Sequence, residues 1–370
     1  MSWLVFRLTD SVIMLTTVAF INQIPTLLLA PAAGVISDRY NRFNIMVATQ
    51  ATPMLAACLL AVLTLSGNIA GWQLLAVSLV SGLAAAVEAP TRQSFYTKLV
   101  PAGSMTNAIA MNSVTVNGAR FIGPAIGGVL IGVFGEGWCF LINGISFIPV
   151  FVALYMMKLE PFNRSPAKQK ALDSFREGLR YVNGFLPLKA VIFCVGAISF
   201  FGMPFLNVIP ALVRNTLGGD SQLLGYLNSA IGAGALTAAL YLAARKRIRG
   251  LGKVLTITAI MLGTGFLTLS LTKVPALAII IAYPVGCALI GTLATSNTLL
   301  QSLVDDDKRG RVMSFYTMAS AGLNPLGGLF YGWIAEKTSL TAVILGSGVI
   351  FLSGGSIYED YLPQVRKGAK

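Results

Sequence analysis

Long apolar runs, each about as long as a bilayer crossing and each closed by a short polar break, recur along the whole chain. They fall near 11–36, 44–65, 72–91, 108–134, 138–157, 190–213, 221–244, 254–271, 275–303, 312–335 and 340–358. Roughly 20 apolar residues, rising 1.5 Å each, cover the ~30 Å hydrocarbon layer, so these runs predict eleven spanning helices. The breaks carry Gly, Pro, Asn or Asp, as in Ser66-Gly67-Asn68 and Gly135-Glu136-Gly137, which suit turns. The runs are continuous rather than alternating, which argues against an outer-membrane barrel. The pattern predicts an all-α membrane protein.

One break is longer. Residues 158–189 are polar and basic, and they divide the chain into an N-terminal bundle (1–157), a linker (158–189) and a C-terminal six-helix bundle (190–370). Within the linker, Leu172, Phe175, Leu179 and Val182 recur at helical spacing with charges between them. That suits an amphipathic helix at the membrane interface, or one that binds a partner. The start, Met1-Ser2-Trp3-Leu4-Val5-Phe6-Arg7, reads as the far end of a first span whose opening is missing. It carries no signal-peptide pattern.

The two bundles echo each other. Lys98-Leu99-Val100, a polar stretch and Gly123-Pro124-Ala125-Ile126-Gly127-Gly128 in the first half have a counterpart in the second. There Ser302-Leu303-Val304 is followed by a polar stretch and Asn324-Pro325-Leu326-Gly327-Gly328. Duplicated halves of this kind are a signature of transporters that rock two bundles about a midplane site.

Composition sharpens the picture. Of the 370 residues, 55% are hydrophobic and only 11% charged, too few charges to coat a water-facing surface. The net charge of +13 would suggest nucleic acid in a soluble protein, but its placement says otherwise. Of the 27 Lys and Arg, 22 lie in alternate breaks and the C-terminal tail, and four (Arg7, Arg214, Lys273 and Lys337) lie on the other side. By the positive-inside rule the linker and the C-terminus face the cytoplasm, in a plasma (inner) membrane. The basic residues then meet lipid headgroups, not nucleic acid. With no histidine, a His proton relay, a serine–histidine dyad and the usual zinc ligand sets are excluded. Cys58, Cys139, Cys194 and Cys287 are scattered through apolar runs and read as small hydrophobes. Asp305-Asp306-Asp307 lacks calcium-loop spacing and sits beside basic residues, so no metal is expected. A Gly-x-x-x-x-Gly-Lys-Ser/Thr loop is absent, so the chain is not an ATPase, and no enzyme signature replaces it.

The break Gly34-Val35-Ile36-Ser37-Asp38-Arg39-Tyr40-Asn41-Arg42 resembles the signature loop of the major facilitator superfamily. The resemblance implies a gating latch formed by Gly34, Asp38, Arg39 and Arg42 that stabilises one state of the transport cycle. Gly123, Pro124, Gly127 and Gly128 resemble the antiporter element of that superfamily, in a less complete form. Pro325, Gly327 and Gly328 are the second-half counterpart. Ala89-Pro90-Thr91-Arg92-Gln93, Leu99-Val100-Pro101, Asn117-Gly118-Ala119-Arg120 and Arg176-Glu177-Gly178-Leu179-Arg180-Tyr181-Val182 are similar to the enterobactin-exporter and macrolide-efflux branch, the transmembrane secretion effectors. The branch implies the major facilitator fold and a monomer that exports a small siderophore- or drug-like molecule. It needs no cofactor and is driven by the proton gradient. An uptake permease on the same fold, or a non-transporting sensor or remnant, are the competing readings.

Two ionisable residues lie inside the runs, Glu88 and Arg120. Such residues are costly in hydrocarbon and by default mark a pathway or a pair. Glu88 stands four residues before Arg92, which allows a local pair, and the latch arginines are alternative partners. Arg120 is about 20 Å into its helix, near the midplane. It can face a cavity and hold an anion, or bond backbone carbonyls.

Overall fold

The computed structural model describes residues 1–99, 105–157, 182, 184–245, 250–304 and 306–368. The first half contains α1 (Ser2–Thr9), α2 (Val12–Arg39), α3 (Arg42–Leu65), α4 (Gly71–Leu99), α5 (Met105–Phe134), α6 (Glu136–Ile145) and α7 (Ile148–Met156). The second contains α8 (Leu186–Ala197), α9 (Phe205–Ala211), α10 (Ser221–Ala244), α11 (Leu251–Leu271), α12 (Pro275–Leu303), α13 (Asp306–Thr317), α14 (Leu323–Lys337) and α15 (Leu340–Gly368). Three π-helical segments, Ile198–Gly202, Leu212–Thr216 and Met318–Gly322, lie between or after these helices. No strand occurs among the described residues.

Local chemistry sets the helix ends. Ser11 accepts from Met14 N–H at 3.3 Å, Asn41 from Phe43 N–H at 2.9 Å, and Asp220 from Gln222 and Leu223 N–H at 3.0 and 3.1 Å. Each cap satisfies donors that the first helical turn leaves open. Gly135 turns α5 directly into α6 at φ +80°, a conformation that favours glycine.

Among the described residues, eight stretches are long and apolar enough to cross a membrane. The other three expected runs, near 108–134, 312–335 and 340–358, fall in α5, in α13 to α14 and in α15. Several boundaries differ from the sequence reading: α4 runs on to Leu99 and α15 to Gly368, well past the expected ends near 91 and 358. The helix of the second half starts at Leu186, inside the linker as drawn. Arg214, expected in a turn, lies in the π segment Leu212–Thr216, which prolongs that span. Apart from Val182 and the stretch from Gly184, the linker lies outside the described residues.

The two halves repeat one packing plan. The pair α2–α4 has its equivalent in α10–α12, α3–α4 in α11–α12, and α3–α6 in α11–α15. Two further pairs join the halves, α5 with α10 and α2 with α14. Because helices alternate in direction, the strongly basic breaks share one end of the bundle, here the basic face. Asp10, Gly67, Gly135 and Thr272 mark the opposite face.

The cores are distributed unevenly between these faces. One large cluster joins Leu4, Val5, Phe6, Leu15 and Leu74 of the first half to Phe205, Ile209, Leu212, Leu227 and Tyr331 of the second. Toward the basic face each half has its own cluster: Met46 and Leu154 in the first, and Leu188, Leu255, Leu300 and Phe315 in the second. Large apolar side chains also coat the perimeter, with Phe193 78% and Trp72 69% exposed, a surface that suits hydrocarbon and not water. The molecule is an all-helical, multi-pass membrane protein among its described residues, built on one packing plan used twice.

Candidate functional site: a polar junction at mid-depth

Two spans of the second half are interrupted at the same depth, and they repair each other. Pro325 has no N–H, and in the π register its partner would be the carbonyl five residues back, that of Ser320. Ser199 supplies the missing donor, its hydroxyl reaching Ser320 O at 3.0 Å from a fully buried position. In return, the Tyr331 hydroxyl of α14 donates to Phe201 O at 2.9 Å and shares a 2.6 Å hydrogen bond with Ser347 of α15. Pro204 likewise gives no N–H to Phe200 O four residues back, and that carbonyl rests on Gly327, where any Cβ would overlap it. Backbone breaks inside a membrane persist only where neighbours re-satisfy the freed groups.

Next to these breaks, polar side chains from three helices converge. Asn324, the second residue of α14, donates from Nδ2 to Gln23 Oε1 of α2 at 2.9 Å, a bond between the halves. Its Oδ1 is buried and has no hydrogen-bond partner among the described residues. One turn on, Asn207 of α9 points Nδ2 at Gly328, 3.9 Å from where a Cβ would stand. Gln23 is eleven residues into α2, about 16 Å along its axis, which puts this junction near mid-depth. Phe200 and Phe201 of the π segment and Phe330 of α14 form an edge-on and tilted aromatic cluster, with ring centroids 4.9 to 6.2 Å apart.

Toward the opposite face the halves touch backbone to backbone. A Cβ on Gly128 of α5 would stand 2.7 Å from Gly225 Cα and 2.8 Å from Ser221 O of α10. On the other side of the molecule, a Cβ on Gly332 of α14 would overlap the Thr16 hydroxyl of α2. Small residues allow such approach in lipid, where apolar burial gives helices little reason to associate. Above these crossings, Arg214 lies 5.9 Å over the buried ring of Phe6, and Arg7 pairs with Glu136 at 2.9 Å, tying α1 to α6.

Comparison with known proteins decides the family. The family described as transmembrane secretion effectors matches residues 1–368. The chain belongs to it. Among its relatives is the staphyloferrin A transporter of Staphylococcus aureus, 25% identical over 95% of this chain and 89% of that protein. The multidrug efflux pump Tap of Mycolicibacterium fortuitum is 23% identical over 99% of this chain and 91% of that protein. The solved structure of the nucleoside transporter NupG matches with a TM-score of 0.71 at 14% identity, covering 98% of this chain and 93% of that one. That last likeness speaks to the fold.

The secretion effector family is one of transporters, so this chain is not an enzyme. In this secretion effector the expected site residues occupy distinct places. The latch stretch is mostly helix rather than loop: α2 runs through Arg39, Tyr40 and Asn41 form a two-residue turn, and Arg42 opens α3. The side chains of Gly34, Asp38, Arg39, Arg42 and Arg120 lie outside the described residues. Glu88 pairs with Arg92 at 3.8 Å, partly exposed on α4, the local arrangement that the spacing allowed. The antiporter-like element divides. Gly128 crosses to the second half, with Pro124 O lying 2.9 Å from the Cβ position of Gly225, whereas Gly123 and Gly127 have nothing within 4 Å. Its counterpart does other work, because Gly327 packs on Phe200 inside the second half. The four cysteines are free and half-buried, and no metal-ligating group occurs among the described residues.

Sequence reasoning passed over Gln23, Asn207, Gly225 and Tyr331, and named Asn324 only within the second-half echo. Their signal was present as lone amides inside apolar runs and as Pro204 and Pro325 within spans. Such residues mark binding sites in broken transporter helices only once the breaks are known to meet.

Proposed function

We propose that this protein exports a small siderophore- or drug-like compound across the plasma membrane by alternating access, coupled to proton entry. One observation carries the reading: among the described residues, the halves share a core and two glycine crossings at one face, and hold separate cores at the basic face. Such a molecule, among its described residues, is held together at the face opposite the basic one, and we read it as the state closed on that side. The positive-inside distribution makes the basic face cytoplasmic, so this is the state that loads cargo for export. The full-length kinship with a staphyloferrin A transporter and a multidrug pump supports the direction.

The experiment is chloramphenicol efflux by the purified protein in proteoliposomes under an imposed pH gradient. Uphill movement that a protonophore abolishes is expected, and movement unaffected by the gradient counts against proton coupling. Topology has its own test. In a variant without native cysteines, a cysteine at Asn68 reacts with an impermeant maleimide applied to intact cells, while one at Ser165 in the linker stays unlabelled. Labelling of Ser165→Cys from outside reverses the orientation.

A charged latch and one charged residue within a span complete the reading. The Gly34, Asp38, Arg39 and Arg42 latch holds the cytoplasmic ends together in the other state of the cycle, so Asp38→Asn lowers efflux at unchanged membrane abundance. Efflux at the wild-type rate in that variant argues against a latch. Arg120 faces the cavity and holds an anionic group of the cargo. Arg120→Lys then retains part of the transport of anionic compounds, since the charge stays and the bidentate fork is lost. Arg120→Gln loses that transport but still folds. Wild-type export of anions by Arg120→Gln removes it from the cavity.

A further inference from the structure

The mid-depth junction is built from carboxamides. Gln23 comes from the first half, Asn207 and Asn324 from the second, and the buried polar residues among those described are all Ser or Thr, without a charge. A buried carbonyl without a donor is costly, and Asn324 Oδ1 is one. An arriving hydrogen-bond donor removes that cost. A carboxylate brings no donor to it, and a cation would leave its charge uncompensated among neutral amides.

We propose that Asn324 is a specificity-determining residue that takes an uncharged donor of the cargo, a hydroxyl or an amide N–H. Gln23, bonded to Asn324 across the halves, makes the same recognition felt by both bundles. The inference rests on the transporter reading above and names the cargo chemistry of that site. It does not depend on Arg120, which sits on α5.

The test uses the full-length protein in lipid nanodiscs with three probes: chloramphenicol, uncharged with two hydroxyls and an amide; citrate, a trianion; and ethidium, a permanent cation. Chloramphenicol is expected to bind the wild type and raise its melting temperature. Asn324→Leu weakens it at least about tenfold, and Asn324→Gln, which keeps the amide, retains most of it. Asn324→Asp exchanges the preference, losing chloramphenicol and gaining ethidium, a change that loss of packing alone does not produce. Should the leucine variant fail to fold, the aspartate and glutamine variants carry the test. Equal chloramphenicol binding by the wild type and the aspartate or leucine variant overturns the proposal, as does a wild type that binds citrate alone or none of the three. The two readings separate in proteoliposomes. Chloramphenicol bound through Asn324 but never moved sinks the transporter and supports this site, whereas equal movement by wild type and Asn324→Asp sinks this site and leaves the transporter.

Discussion

A valine at Gly225 is expected to stop transport while leaving the protein folded in the membrane. Its Cβ would stand 2.9 Å from both Gly128 Cα and Pro124 O, and neither backbone atom can turn aside as a flexible side chain does. The crossing of α5 and α10 must then widen. Overpacking of this kind costs about 1–3 kcal/mol, and it falls only on the state in which this face is closed. A bias of that size shifts a two-state equilibrium roughly 5- to 150-fold. Efflux should fall accordingly, and a cysteine at Gln222, beside the crossing, should become reactive to an impermeant maleimide. Gly118→Ala is the matched control, since no described residue lies within 4 Å of where its Cβ would stand, and it should transport normally. Wild-type efflux by Gly225→Val would show that the crossing does not open and close.

Tyr331→Phe is the second large effect, and it strikes stability first. The tyrosine is fully buried, and its hydroxyl is the donor for Phe201 O beside a helix break. Phenylalanine fills the same space and leaves that carbonyl and the Ser347 hydroxyl short of a partner. The loss is about 1–2 kcal/mol, the upper range for a hydrogen bond between helices in lipid. Several degrees should be lost from the melting temperature in nanodiscs. Ser199→Ala, which removes the reciprocal brace to Ser320, should lose a similar amount, and the double variant should lose less than the sum if the two braces hold one unit. An unchanged melting temperature in both single variants would mean that water or lipid repairs the breaks.

Much of the architecture was legible because hydrocarbon imposes a one-dimensional rule. A chain that must bury its backbone hydrogen bonds within each crossing writes its spans as apolar runs, and the breaks between them fix the order of helices. The charge placement and the paired motifs pointed to duplicated halves, and the packing pairs repeat in the two halves as that requires. The Glu88–Arg92 pair followed from spacing alone, since residues four apart share a helix face.

The functional junction was not legible in that way. Sequence weight fell on charges and on motif glycines, because these stand out in an apolar background. Yet a Cβ at Gly123 or Gly127 would meet no described residue within 4 Å, and Gly128 matters through Gly225, nearly a hundred residues away and outside any motif. Gln23 and Asn324, 301 residues apart, are unremarkable singly and become a site only where α2 crosses α14. Pro204 and Pro325 announce breaks, but the sequence does not say which donors mend them. The sequence by itself determined what is local: the spans, their order, their duplication and their basic side. The tertiary structure alone decided which helices cross, and therefore which small residues bring backbones together and which amides are left facing one another, because those contacts are set by packing between segments distant in the chain.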